Sequence, residues 1–92
     1  NRLRMENTLF NWLQINVVSL ARPDDQAAKK TADFFYEMLV DDHQLQDIQV
    51  EADDTMYTVR YTLEGKTESK RYPREVVEQL LRDIETEPKY NQ

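Results

Sequence analysis

The 92 residues carry 18 acidic against 12 basic side chains, a net charge of −6, with one glycine, three prolines and no cysteine. A chain this short holds one core and hardly two, so a single domain is expected. Without cysteine there are no disulfides, thiolate metal sites or cysteine nucleophile, which fits a reducing, cytoplasmic setting; so few glycines and prolines leave little material for an all-β sandwich.

Hydrophobic residues make up 39% of the chain against 33% charged, and they come in periodic blocks able to repay ordering entropy, so folding is expected. No apolar run approaches the ~20 residues needed to cross a bilayer, and no leader pattern opens the chain, so no membrane partner is expected. Asn1 to Arg4 precede the first methionine, Met5, and read as an appended or processed start outside the fold.

From Asn7 to Ala21 the apolar residues are Leu9, Phe10, Trp12, Leu13, Ile15, Val17, Val18, Leu20 and Ala21. At 100° per residue all but Ile15 and Val18 share one half of a helical wheel, which predicts an amphipathic helix with a wide apolar face. A strand over Leu13, Ile15 and Val17 competes, because Gln14 and Asn16 alternate with them. In that variant the opening segment joins the sheet as a fourth strand.

Pro23 turns the chain away from helical geometry, and Asp24 or Asp25 then supplies a cap for a second helix. Ala27, Ala28, Thr31, Phe34, Phe35, Met38 and Leu39 recur at three- and four-residue steps to about Val40. Gln46 to Glu51 and Met56 to Leu63 alternate as strands, the second placing Tyr57, Val59, Tyr61 and Leu63 on one side, with a turn at Ala52 to Asp54.

Gly65 marks a hairpin to a third strand, Lys66 to Tyr72. A two-residue Glu64-Gly65 turn sets Arg60 opposite Ser69; a type I turn with Gly65 in a bulge sets it opposite Glu68, and charge attraction favours the bulge. Lys66, Lys70 and Arg71 suit a protected sheet edge. Pro73 then fits a first helical position, Val76, Val77, Leu80, Leu81 and Ile84 share a face, Pro88 ends the helix, and Lys89 to Gln92 form a loose tail. The expected fold is two-layer α+β, in the order helix, helix, strand, strand, strand, helix, with helices covering one face of an antiparallel three-stranded sheet.

Catalytic equipment is missing. Ser19 and Ser69 lie in no activating motif, one glycine cannot build a phosphate cradle, and His43 beside Asp41 and Asp42 lacks the further ligands a metal needs. No cofactor, metal or catalytic residue is expected, and paired carboxylates say little in so acidic a chain.

Two features point to a protein partner. Eight acids stand between Asp33 and Asp54, namely Asp33, Glu37, Asp41, Asp42, Asp47, Glu51, Asp53 and Asp54, with no lysine or arginine among them. Asp41 and Asp42 fall where a helix's negative end disfavours acids. The block suits a basic partner, such as a nucleic-acid-binding protein that it would inhibit, or else it is a solvated face. The second feature is surplus apolar surface at Trp12, Ile15 and Val18, which suggests docking or a homodimer, unless the segment is a central helix.

The candidate partner-binding residues are therefore Trp12, Ile15, Val18, Asp33, Glu37, Asp41, Asp42 and Asp47, in a non-enzymatic cytosolic regulator or adaptor. Thr58, Arg60, Lys70 and Tyr72 together would form a basic-aromatic sheet face, but the net charge argues against nucleic acid. A rival reading is a small-molecule or catalytic pocket between sheet and helices, lined by Tyr57, Tyr61, Phe34 and Phe35.

Overall fold

In the computed structural model, which describes residues 2–90, the opening segment is helical throughout as α1 (Arg2–Ala21). The fourth-strand variant is thereby corrected. Leu13, Ile15 and Val17 alternate only because α1 is buried on several sides at once: Met5, Leu9, Trp12, Leu13 and Val18 are all buried, although they spread around the axis. Buried Thr8 satisfies its hydroxyl by donating to the Arg4 carbonyl at 2.9 Å. Asn1, and Asn91 and Gln92 of the expected tail, lie outside the described residues.

Asp25 caps α2 (Gln26–Glu37), its carboxylate accepting from the Ala28 amide at 3.0 Å. Ala28 and Ala32 are small enough to bring α2 close against α1. The helical path then widens into a π-turn, Met38–Asp42, closed where the His43 amide donates to the Met38 carbonyl at 3.1 Å. Leu39 and Leu45, both fully buried, anchor the two ends of this connector.

Three antiparallel strands follow in the spatial order β1 (Gln46–Ala52), β2 (Met56–Leu63), β3 (Lys66–Pro73). Asp53 builds the first turn by accepting from the amides of Thr55 at 2.9 Å and Met56 at 2.8 Å. The second turn is the two-residue Glu64-Gly65 form, with φ of 52° and 78°, and Arg60 stands opposite Ser69. The expected bulge is therefore corrected. Positive φ at both central residues matches the twist of the strands, and the expected ion pair between Arg60 and Glu68 does not form: Arg60 pairs with Glu51 across β1 and β2.

This register turns Glu68, Lys70 and Tyr72 toward the face of Tyr61, Val59 and Tyr57, beneath α1. Residues two apart on a strand advance roughly 6.6 Å and residues four apart on a helix roughly 6 Å, so the two elements keep step. Arg2 meets Glu68 at 3.0 Å, Glu6 meets Lys70 at 2.9 Å, and the Phe10 ring lies 5.4 Å from that of Tyr72. A strand almost without apolar residues is thus fastened to the helix above it by two ion pairs and one ring contact.

The last helix is interrupted by one residue. Glu78, at φ −85° and ψ 0°, separates α3 (Arg74–Val77) from α4 (Gln79–Thr86), and Pro73 stands one position before the helix, closing β3, instead of at its first residue. The Glu78 carboxylate accepts from the Tyr57 hydroxyl at 2.6 Å and from Arg74 at 2.9 Å, while Arg74 also lies 5.3 Å over the Tyr57 ring. Pro88–Tyr90 then forms a single 3-10 turn. One core joins α1, the connector, β2 and α3 through Leu9, Leu13, Leu39, Leu45, Val59, Tyr61 and Val77.

Candidate functional site

The unusual chemistry collects at one end of the molecule, around the connector between α2 and β1. Gln44 (φ 59°), Asp47 (φ 53°), Glu64 (φ 52°) and Gly65 (φ 78°) are the described residues with left-handed backbone, and all lie beside the Gln46 to Thr62 pairing or at the hairpin tip next to it. Each non-glycine residue held this way costs about 1–2 kcal/mol, and such strain is enriched at functional sites. At Asp47 it accompanies a break in the β1–β2 register between Gln46 and Gln49, a bulge in an edge strand.

Shallow hollows adjoin around the same segment. One of 320 Å³ is lined by Arg2, Met5, Asp42, His43, Leu63 and Glu64. A second, of 190 Å³, is lined by Phe34, Glu37, Met38, Asp41 and Asp42, so that Asp42 belongs to both. Among the described residues, Glu37, Asp41, Asp42, Asp47 and Glu64 have no ion-pair partner. The cation nearest to hand, Arg2, is already committed to Glu68, whose hydrogen bond raises the guanidinium pKa further and whose own carboxyl is held below its ordinary range.

Apolar surface completes the end. Phe34 is 60% exposed and Val40 38% exposed, although the three- and four-residue spacing of α2 marks Phe34 as core. Only one flank of that apolar face is covered: Ala28, Ala32 and Leu39 are buried and Phe35 packs against the core, whereas Ala27, Thr31 and Phe34 remain outside with Met38 half-buried.

The residues singled out from sequence divide accordingly. Glu37, Asp41 and Asp42 are brought together with Phe34 and Met38, and Asp47 stands at the bulge beyond the connector. Asp33, one turn before Glu37 on α2, does not line that hollow and stands 3.9 Å from Lys29. Trp12 and Val18 are buried inside the chain and Ile15 is half-buried, so the girth of α1 is used by its own neighbours, and the Trp12 ring meets Tyr36 of α2 at 5.7 Å. Phe34, Val40, Gln44 and Glu64 were not singled out for this end. The clue available for Gln44 and Glu64 was only that each borders a strand.

Two other arrangements do not assemble. Thr58 and Arg60 face away from the helices together with Ser69 and Arg71, while Lys70 and Tyr72 face α1, which splits the basic-aromatic surface between the two sides of the sheet. Tyr57 and Tyr61 are closed into the core with Phe35 packed against it, while Phe34 is outside. Among the described residues, no group of three or more histidine, aspartate or glutamate side chains is placed to hold a metal, and no helix is long and apolar enough to cross a membrane.

No protein-family model, no curated protein and no solved structure matches this chain.

Proposed function

We propose that the protein is a non-enzymatic cytosolic interaction module, a small adaptor or regulator, whose connector end binds a basic segment of another protein. The observation that carries this reading is the exposed Phe34 ring beside half-buried Met38, bordered by Glu37, Asp41 and Asp42 without ion-pair partners among the described residues. Apolar surface supplies the driving force for association, and unpaired charge of one sign selects the partner and speeds its approach. A twofold dimer through this end would set the same carboxylates against their own copies, so charge favours a different, basic protein.

The test is a titration of the intact protein with a panel of lysine-rich, leucine-containing peptides, followed by backbone amide shifts at low and moderate salt. Shifts confined to α2 and to the connector through residue 47, weakening as salt rises, are expected. Saturation by acidic control peptides, or no shift with any basic peptide, would refute the assignment.

A further inference from the structure

The shape of the open flank says what conformation the partner takes. At 100° per residue, Ala27, Thr31, Phe34 and Met38 fall within about 60° of one another, forming a straight strip roughly 16 Å long on α2. Glu37 and Asp41, four residues apart, run beside its far half. Lys30 stands beside its near half, while Lys29 lies on the opposite side of α2, turned toward Asp33.

An extended partner laid on this strip has no backbone to pair with, because the amides and carbonyls of α2 are already used within the helix; its own polar groups would face apolar side chains unsatisfied. A helical partner satisfies its backbone internally and presents side chains at the same three- and four-residue steps. The sheet edge next to the connector, β1, is broken by the bulge at Asp47 and carries an unpaired acid there, which disfavours strand addition.

We infer that the occupant of this flank is a basic amphipathic helix of another protein, with its apolar stripe on Ala27, Phe34 and Met38 and its lysines or arginines gathered at the end that meets Glu37, Asp41 and Asp42. The inference rests on the interaction reading above and narrows it to one conformation and one charge arrangement. The helix dipole of α2, negative toward Met38, adds to the acids at that end.

Three matched synthetic peptides of about four helical turns decide the matter with the full chain. The first is a helix with leucines at three- and four-residue steps and lysines at one end; the second has the same composition with the leucines scrambled off one face; the third carries a central proline. The first is expected to shift amides along α2 and to bind about tenfold or more tightly than the other two, and Phe34→Ala to weaken it by a similar factor. Asp41→Asn with Asp42→Asn should weaken it and flatten its salt dependence, with helical content and melting confirming that each variant folds.

If all three peptides bind alike at residues 34–47, the helical occupant is wrong and the basic partner stands. Shifts moving instead to β1 would show strand addition and likewise overturn the helix. If none binds at low salt, the interaction reading and this inference fall together.

Discussion

Arg2 and Glu68, 66 residues apart, meet through two hydrogen bonds of 3.0 Å from guanidinium to carboxylate, and the same Glu68 accepts from the buried Tyr61 hydroxyl at 3.1 Å. The start of α1 and the paired strands β2 and β3 therefore converge on one carboxylate at the rim of the core.

Tyr61 should make the fold sensitive to alkali. Burial, then the hydrogen bond to Glu68, push its hydroxyl up to about 12, above the unfolded value of about 10. The unfolded chain loses this proton first, so the contribution is intact below pH of about 10, falls as pH rises, and is lost as pH passes about 12. Tyrosinate absorbance should show a late-titrating class, and Tyr61→Phe should remove one member of it and soften the alkaline loss. Near neutrality the same variant should lose about 1 kcal/mol through the missing hydrogen bond. Unfolding stability that ignores pH in this window would contradict the assignment.

Core and surface should respond oppositely to truncation. Leu13 is fully buried, so Leu13→Ala should cost about 2–5 kcal/mol in urea unfolding. Phe34→Ala, at an exposed position, should change stability by no more than roughly 0.5 kcal/mol. A large loss from the Phe34 change would mean that this ring is part of the core.

The hairpin tip can be improved. Glu64 occupies a position at φ 52° that asparagine or glycine fills with less strain, so Glu64→Asn should raise stability by about 0.5–1 kcal/mol. Gly65→Ala should lower it by about 1–2 kcal/mol at φ 78°, although no atom obstructs the added methyl. Chemical denaturation of the two variants checks both signs.

Asp41→Asn and Asp42→Asn should each stabilise the protein by about 0.3–1 kcal/mol, because they relieve acids at the negative end of α2, and the gain should shrink as salt rises. The same changes should weaken basic peptides. Parallel melts and titrations would show whether stability and binding move in opposite directions.

Element order was legible in the amino acids because α2 and the strands follow clear periods and because Asp25, Pro73 and Gly65 mark boundaries. Register at the second hairpin was not. Arg60 and Glu68 look like a pair in isolation, but Tyr61 stands directly opposite Glu68, and Arg2 claims the same carboxylate from a distance that local reasoning does not span. The matched series Arg2, Glu6, Phe10 and Glu68, Lys70, Tyr72 was present as a signal, in steps of four and of two, but it reads only once the helix is known to lie along that strand.

At the candidate site, Glu37, Asp41, Asp42 and Asp47 stood out by charge. Phe34 did not, because its spacing is that of a core residue and only the neighbours of α2 decide which flank is covered. Gln44 and Glu64 were invisible for another reason: glutamine and glutamate carry no preference for left-handed backbone, so tertiary packing imposed it.

The many-sided burial of α1 bears on how the chain is made. Its cover is synthesised in two parts: α2 follows it directly, whereas β2, β3 and α3 all lie beyond residue 55, so one side of this greasy helix waits for the strands while the chain is being made. Shielding of that nascent helix, more than the strength of the finished fold, should set the yield of protein from a living cell.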